Sequence, residues 1–230
     1  MNKTLTAIVP FYNEQNTLRE SVERLVAIDS VNEILLIDDC SFDSSNEIAN
    51  SLQEEYPNIR LFKNKINSGK GQAINTAKKH VKTTHVIIHD ADLEYYPVDI
   101  KNLFSEVLKS PNSLILGSRF IGTKERKNIY KRTLIANKVM SLFFSFVNLY
   151  KVTDIATCYK LFPNKFFQNI TLKENGFSIE VELLSKFLKY NKNIIEVPIS
   201  YEGRSYDEGK KIKTSDGFLY LINTVKYRLL

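Results

Sequence analysis

Short apolar runs rich in β-branched residues alternate with helical segments through the first half of the chain, and this alternation constrains the fold more than any other feature. The strand-like runs occupy residues 5–9, 33–37, 59–62, 84–88 and 114–117. The helical segments occupy residues 13–27, 43–55, 72–81 and 97–109. Strands that alternate with helices form a parallel sheet covered by helices. The pattern therefore predicts an α/β fold with a Rossmann-like, mostly parallel sheet, in which Asn13 caps the first helix.

The second half of the chain lacks this regular alternation. We predict helices at residues 133–149, 178–190 and 216–229, a strand at 193–199 and a polar loop at 202–215. No linker, repeat or low-complexity tract divides the 230 residues. We therefore expect one domain, in which the second half elaborates the first sheet and does not form a second Rossmann unit.

Composition limits the class of protein. The chain is 43% hydrophobic and 25% charged, which is ordinary for a soluble globular protein with a core. Its net charge of +6 suits an anionic partner, but it does not choose between a nucleotide, a phospholipid surface and nucleic acid. The two cysteines, Cys40 and Cys158, predict neither a disulfide framework nor a metal site. We therefore expect reduced thiols in a cytoplasmic protein.

The longest apolar stretch, at residues 134–150, is interrupted by Asn137, Lys138 and Asn148. It is too short and too polar to span a bilayer, and the N-terminus has no signal-peptide pattern. Membrane contact is therefore expected only at the membrane surface. The helix at 133–149 follows a basic segment and either lies on a bilayer or packs in the core.

The predicted strand at 84–88 leads to three acidic residues at alternating positions, Asp90, Asp92 and Glu94. Open α/β sheets bind ligands at the carboxyl ends of their strands, and carboxylates this close repel one another unless a cation lies between them. Mg²⁺ or Mn²⁺ suits such oxygen ligands and also binds substrate phosphates. The sequence thus predicts a metal site here, and a solvated acidic turn is the alternative.

Two further strand ends carry groups that would lie at the same edge of the sheet. The first strand is followed by Pro10, Tyr12 and Glu14, and the second by Asp38 and Asp39. Either aspartate could accept hydrogen bonds from a nucleobase or a ribose, and Tyr12 could stack on a base or pack internally. Together with the acidic stretch, these residues predict a binding crevice.

Basic residues near this edge suit a phosphate. Lys70 lies between two glycines at the start of a predicted helix; the spacing is not that of a Walker motif, but a helix N-terminus beside a lysine binds anions. Arg119 follows the fifth strand, and Arg204 and Lys211 lie in the late polar loop. Arginine binds phosphate in a bidentate manner. A solvated basic loop is the alternative.

Taken in order, these motifs resemble family 2 glycosyltransferases of the GT-A fold, in the dolichyl-phosphate mannosyltransferase-like branch. The resemblance rests on VPFYNE at 9–14, DDCS at 38–41, NSGKG at 67–71, DADLE at 90–94, GSRF at 117–120, Asp154 with CYK at 158–160, FSIE at 177–180, EVPI at 196–199 and GRSYDEGKK at 203–211. It covers nearly the whole chain. It implies a single domain over 1–230, in which 1–120 form the nucleotide-sugar-binding half and 121–230 the acceptor-binding half.

The resemblance also implies roles for individual residues. The candidates for holding the nucleotide sugar are Pro10, Tyr12, Glu14, Asp38, Asp39, Lys70, Asp90, Arg204 and Lys211. Asp90, Asp92 and Glu94 would place Mg²⁺ or Mn²⁺ on the donor diphosphate, and Glu94 stands where many relatives carry glutamine. Arg119 and Arg132 would meet the phosphate of a polyprenyl (dolichyl or undecaprenyl) acceptor, and together with Asp92 they are the catalytic candidates.

The implied reaction transfers a sugar to the polyprenyl phosphate with inversion, as in cell-envelope biosynthesis. A phosphate monoester is already anionic, so its attack needs no strong base. A glycan or polysaccharide hydroxyl would need one, for which Asp154 and Glu180 are candidates. A non-catalytic nucleotide-sugar-binding subunit is a further alternative. No nucleic-acid-binding motif is present, and the sequence leaves the sugar, the base and the oligomeric state open.

Overall fold

The structure, a computed structural model, describes residues 2–128, 130–204 and 214–230, with side chains described outside 214–216. Its strands are β1 (Leu5–Phe11), β2 (Glu33–Asp38), β3 (Ile59–Lys63), β4 (His85–Ile88), β5 (Leu114–Ser118), β6 (Arg126–Lys127), β7 (Lys160–Pro163), β8 (Ile194–Pro198) and β9 (Tyr201–Glu202). Its helices are α1 (Leu18–Val26), α2 (Ser45–Glu55), α3 (Lys70–Lys78), α4 (Asp99–Lys109), α5 (Lys131–Asn148), α6 (Asn164–Asn169), α7 (Ile179–Tyr190) and α8 (Thr214–Leu229).

Within the described residues, seven strands form one sheet in the order β3-β2-β1-β4-β7-β5-β8. The pairings are parallel except those of β7, which runs antiparallel between β4 and β5. β6 and β9 form a separate parallel pair. The predicted α/β fold with a mostly parallel sheet is confirmed, and the second half of the chain adds β7 and β8 to that sheet, as expected.

Helices cover both faces of the sheet, and the strands supply apolar side chains to each face. Ala7 and Val9 of β1 pack in a core with α1, α2 and α4. Ile8, between them, packs in a second core with residues of α3, α6 and α7. Because successive side chains of a strand point to opposite faces, a strand that is buried on both faces is apolar at nearly every position. This is why the strand-like runs were recognisable in the sequence.

The sequence did not predict β7, although this strand lies near the centre of the sheet. It has four residues, and both the first, Lys160, and the last, Pro163, are atypical of a central strand. Lys160 is nevertheless fully buried. Its charge is accommodated by an acidic residue of a neighbouring helix, described below, which sequence periodicity does not reveal.

Helix α1 begins at Leu18, so the prediction that Asn13 caps it was wrong. Asn13 has a left-handed backbone conformation, with φ of 50°, and its side-chain oxygen accepts a hydrogen bond from the Phe42 N–H at 3.0 Å. The turn is held further by the Glu14 N–H, which donates to Ser45 Oγ at 2.7 Å. These bonds to the loop after β2 and to the start of α2 leave the Glu14 carboxylate at the edge of the sheet.

Candidate active site

A cavity of about 290 Å³ opens beyond the carboxyl ends of β1, β2 and β4, where open α/β sheets bind their ligands. Residues of the second half close it, among them Asn137 of α5, Glu180 of α7 and Tyr220 of α8. The predicted site residues that line the cavity are Pro10, Tyr12, Glu14, Asp39, Lys70, Asp90, Asp92, Glu94, Arg119 and Arg204. The structure therefore brings most of the predicted site together.

Two of the predicted residues that the structure describes, Asp38 and Arg132, are not part of this lining. Asp38 is fully buried, and its carboxylate accepts hydrogen bonds from the Ser41 N–H at 2.7 Å and from Asn46 Nδ2 at 2.9 Å. Asp38 therefore supports the loop after β2 and does not face the cavity. Arg132 is exposed in the first turn of α5, next to the cavity-lining Thr133. Lys211 lies outside the described residues.

Asp39 shapes the loop that leads into α3. Its Oδ2 accepts hydrogen bonds from the N–H groups of Ser68 at 3.0 Å and Gly69 at 2.6 Å. The Gly71 N–H donates to the Asn175 backbone oxygen at 2.6 Å. Gly69 has φ of 95°, and a Cβ there would lie 2.6 Å from the same oxygen, so the loop requires glycine. These N–H groups are engaged within the protein, so the geometry does not support the predicted anion site at this helix N-terminus.

Lys70 lies in a buried row of alternating charges. Its Nζ is 2.7 Å from Asp90 Oδ1 and 2.8 Å from Glu180 Oε1, and Lys160 Nζ is 2.5 Å from Glu180 Oε2. Burial opposes the charge on Lys70, but Asp90 and Glu180 outweigh it and raise the pKa of Lys70 well above its ordinary value. Burial likewise opposes ionisation of Asp90, but Lys70 lowers the pKa of Asp90. Lys70 therefore orients an ionised Asp90 in the cavity wall.

Arg119 and Asp154 form a buried bidentate ion pair. Arg119 Nε and Nη2 donate to the two oxygens of Asp154 at 2.7 and 2.8 Å, and the Arg119 N–H adds a bond of 3.0 Å. The guanidinium also lies 4.8 Å from the centre of the Tyr201 ring. Asp154 thus fixes a positive group in the cavity wall.

Neither carboxylate considered as a base for a hydroxyl acceptor is available for that role. Asp154 is fully buried and bound to Arg119. Glu180 lines the cavity, but its two oxygens contact the ammonium groups of Lys70 and Lys160. His89 is buried as well, and its ring nitrogens contact Ser21 and Tyr159, outside the cavity wall. Burial lowers the pKa of His89 to about 4, so the ring is neutral at physiological pH.

The acidic stretch is not extended, although Asp90, Asp92 and Glu94 all line the cavity. Leu93 has a left-handed conformation, with φ of 63°, which breaks the alternation expected of an extended chain. Glu94 accepts hydrogen bonds from the Tyr201 hydroxyl at 2.7 Å and from the Arg204 N–H at 2.8 Å. Among the described residues, no group of three His, Cys, Asp or Glu side chains has the geometry of a metal site. Glu94 holds the chain after β9 in this geometry, and the role of Asp90, Asp92 and Glu94 as metal ligands stays a prediction.

Asp92 fits a divalent cation better than Glu94 does. Burial, together with the nearby charges of Glu94 and Asp90, raises the pKa of Asp92 to about 7. A carboxylate in such surroundings favours a nearby cation, and Mg²⁺ is commonly bound by one or two carboxylates together with substrate phosphates. The residues present therefore fit a metal that is held jointly by Asp92 and a diphosphate.

Several aromatic residues of the cavity were missing from the predicted site. Tyr95, Phe177, Tyr201 and Tyr220 line it and make much of its wall apolar. Phe177 lies beside Glu180 in a motif that carries the resemblance, which is a usable signal. Tyr201 contacts both Glu94 and Arg119, and nothing in the local sequence reveals these two partners.

Comparison with other sequences identifies the family. The family described as "Glycosyl transferase family 2" matches residues 6–171. The dolichol-phosphate mannosyltransferase of Pyrococcus furiosus is 28% identical over 230 residues, covering 98% of this chain and 63% of that protein. The dolichyl-phosphate beta-glucosyltransferase of Dictyostelium discoideum is 29% identical over 221 residues, covering 87% of this chain and 67% of that protein. The chain thus spans less than two thirds of the Pyrococcus protein.

Solved structures show the same architecture. Glucosyl-3-phosphoglycerate synthase from Mycobacterium tuberculosis in complex with UDP superposes with a TM-score of 0.76 at 13% identity, covering 100% of this chain and 81% of that chain. The same enzyme with Mn²⁺, UDP-glucose and phosphoglyceric acid has a TM-score of 0.76 at 16% identity, covering 99% of this chain and 80% of that chain. At such identities the likeness concerns the fold, and it confirms the GT-A fold. The chain therefore belongs to glycosyl transferase family 2.

Proposed function

We propose that the protein is a metal-dependent, inverting glycosyltransferase that moves a sugar from a nucleotide-sugar donor to a polyprenyl phosphate. The observation that carries the proposal is the pairing, in one cavity, of a carboxylate suited to a cation, Asp92, with a fixed guanidinium, Arg119. The first serves a metal-bound diphosphate and the second an anionic acceptor. Relatives named for dolichyl phosphate support the lipid acceptor, and their names include both mannose and glucose transferases.

The donor would bind along the ends of β1, β2 and β4. Tyr12, Glu14 and Asp39 line that side of the cavity, and Asp90, ionised beside Lys70, offers a hydrogen-bond acceptor to sugar hydroxyls. Mg²⁺ or Mn²⁺ would neutralise charge on the leaving nucleoside diphosphate. Asp92 would hold that metal, and Arg204 would donate to the diphosphate. This arrangement assigns residues 1–120 mainly to the donor and 121–230 to the acceptor.

The acceptor phosphate would lie against Arg119, with Arg132 at the mouth of the cavity. One phosphate oxygen attacks the anomeric carbon as the bond from that carbon to the diphosphate oxygen breaks on the opposite face, which inverts the configuration. The nucleophile is already anionic, so no proton has to be removed. The engagement of Asp154 and Glu180 in ion pairs supports this acceptor over a glycan hydroxyl, which would require a free base.

A transfer assay tests the proposal directly. Radiolabelled UDP-, GDP- and dTDP-sugars are incubated with the protein, Mn²⁺ or Mg²⁺, and a short polyprenyl phosphate in detergent. We expect label from one donor class to enter the organic phase, and chelation of the metal with EDTA to abolish transfer. Transfer to a glycan with none to the lipid would overturn the acceptor assignment. Donor binding without transfer to either acceptor would favour a non-catalytic subunit.

Arg132 provides a test of the acceptor side. Replacement by alanine is expected to lower kcat/KM for the polyprenyl phosphate by about 10-fold, because one charge-assisted hydrogen bond to the acceptor is lost. Slow hydrolysis of the donor in the absence of lipid should stay within about twofold. Lys101→Ala, which removes an exposed cation of α4, is the control and should leave both rates unchanged. If the rates of transfer and of donor hydrolysis fall equally, Arg132 does not contact the acceptor.

Helices α5 and α8 present an apolar surface beside the cavity. We propose that this surface of the protein rests on an anionic membrane. The two helices pack against each other, and they line the cavity through Asn137 and Tyr220. Their exposed apolar residues include Ile135, Val139, Leu142, Phe146, Phe218, Ile222 and Leu229. Lys131, Arg132 and Lys138 are exposed on α5 and complement anionic headgroups. No helix among the described residues is long and apolar enough to cross a membrane.

Vesicle binding tests this surface. The double variant Leu142→Asp with Phe146→Asp is expected to lower partitioning onto phosphatidylglycerol-containing vesicles by at least about 100-fold, because two side chains worth about 1.5–3 kcal/mol each no longer insert. The control is Leu108→Asp, because this leucine is 62% exposed on α4, which packs in the other apolar core from α5 and α8. Co-sedimentation measures the bound fraction. Undiminished binding by the double variant, or an equal loss in the control, would contradict the proposal.

A further inference from the structure

The guanidinium of Arg204 bridges carboxylates from two strand ends. Nη1 lies 3.2 Å from Glu14 Oε2, and Nη2 lies 3.2 Å from Asp92 Oδ2. The Arg204 side chain is only 15% exposed. A positive group therefore sits against Asp92, the carboxylate that best fits a divalent cation.

The backbone that carries Arg204 is held independently of this contact. The Arg204 N–H donates to Glu94 Oε1 at 2.8 Å, and the Gly203 N–H donates to the Lys127 backbone oxygen at 3.1 Å. The Glu202 N–H donates to the Glu94 backbone oxygen at 2.9 Å. The side chain of Arg204 is long and has several rotatable bonds, so its charge is able to move while the backbone stays in place.

We infer that Arg204 is an exchangeable counter-ion of Asp92, which moves to the donor diphosphate and thereby releases Asp92 to the metal. The inference rests on the proposed donor class and adds a coupling between two binding events. A metal that arrives alone must compete with the guanidinium for Asp92. A diphosphate offers that guanidinium two anionic oxygens in a bidentate geometry, so its binding removes the competitor.

Such coupling is reciprocal, because a ligand that raises the affinity for a second ligand has its own affinity raised by the same factor. Removal of the guanidinium charge has two expected consequences. Mn²⁺ alone should bind about 10-fold more tightly, since Asp92 is left without its internal counter-ion. The enhancement of Mn²⁺ affinity by a nucleoside diphosphate should shrink by a similar factor. If Arg204 only contacted the donor, its loss would leave the affinity for Mn²⁺ alone unchanged.

The test is a titration of the full chain with Mn²⁺, in which free Mn²⁺ is measured by electron paramagnetic resonance. Each titration is done without nucleotide and with saturating UDP, GDP or dTDP. The variants are Arg204→Gln, which removes the charge, and Arg204→Lys, which keeps it and should behave like wild type toward Mn²⁺ alone. Arg19→Gln is the matched control, because Arg19 also bridges two carboxylates, Glu23 and Glu55, on α1 and α2 away from the cavity.

The comparison without nucleotide decides the inference. A rise of about 10-fold in Mn²⁺ affinity for Arg204→Gln alone supports it, and an unchanged or lower affinity overturns it. The nucleotide arms report separately on the proposed function: if none of the three nucleotides strengthens Mn²⁺ binding to the wild type, the donor class is wrong. Circular dichroism melts establish that each variant is folded, and Arg204→Lys gives a second reading if Arg204→Gln unfolds.

Discussion

Asparagine in place of Asp92 is expected to lower turnover by about 10³-fold, the scale seen when one group that stabilises transition-state charge is removed. Asp92 lies in the cavity wall between Asp90 and Glu94, and its carboxylate contacts the Arg204 guanidinium at 3.2 Å. Asparagine keeps the shape but removes the charge that would hold a metal on the leaving diphosphate. Because the Arg204 guanidinium keeps its contact with Glu14 when Asp92 is replaced, the melting temperature should change little.

Glu94→Gln is the discriminating control for this prediction. The Glu94 carboxylate serves the Tyr201 hydroxyl and the Arg204 N–H, and a glutamine oxygen still accepts one of these bonds. We expect its turnover to fall by less than about 10-fold, since only one hydrogen bond of about 1 kcal/mol is lost. Initial rates with saturating Mn²⁺ measure both variants. Wild-type turnover in Asp92→Asn would contradict the assignment of Asp92 as a metal ligand. Equal losses of turnover in the two variants would indicate that Glu94 is a metal ligand as well.

Alanine in place of Asp154 is expected to lower the free energy of unfolding by about 3–5 kcal/mol, the usual cost of breaking a buried ion pair from one side. The Arg119 guanidinium would keep its burial but lose both oxygens that it binds, and the Arg119 N–H would lose its acceptor. Urea denaturation measures this loss. Turnover should fall as well, because the guanidinium is no longer fixed in the cavity wall.

A double variant separates the two effects. Asp154→Leu with Arg119→Met removes both charges, and replacement of a buried pair by apolar residues is often neutral for stability. We therefore expect the double variant to regain most of the lost unfolding free energy while transfer to the lipid stays low. If the unfolding free energy of Asp154→Ala falls by less than about 1 kcal/mol, the Arg119–Asp154 ion pair is hydrated in solution. Full transfer activity in the double variant would exclude Arg119 from the acceptor site.

Much of the architecture could be predicted because a buried strand appears in the sequence as a run of consecutive apolar residues. The run Leu5 to Val9 is apolar at every position except Thr6, since both of its faces are covered. Once the strands are known to be parallel, their carboxyl ends share one edge, which is why Glu14, Asp39, Asp90 and Asp92 were expected together and are found in one cavity. β7 escaped prediction because its burial depends on an ion pair, Lys160 with Glu180, that leaves no periodic pattern.

The function of each polar residue in the site was less predictable. Asp38 and Asp39 are adjacent, yet the first supports the loop after β2 while the second lines the cavity. Glu94 lies near Asp92 as expected, but the left-handed conformation of Leu93 breaks the alternation of the chain, and the Glu94 carboxylate binds the Tyr201 hydroxyl and the Arg204 N–H. A short stretch of sequence does not distinguish these outcomes, because a single backbone torsion redirects a side chain.

The sequence by itself determined the mostly parallel sheet, the edge at which the ligand site lies and the chemical types of residue gathered there. These follow from periodicity and from the order of strands and helices, which are local properties. Only the tertiary structure decided which charges meet: Arg204 with Glu14 and Asp92, Lys70 with Glu180, and Arg119 with Asp154. The partners in these pairs lie far apart along the chain, so their contacts depend on how the elements pack, and an ion pair has no sequence period that would reveal it.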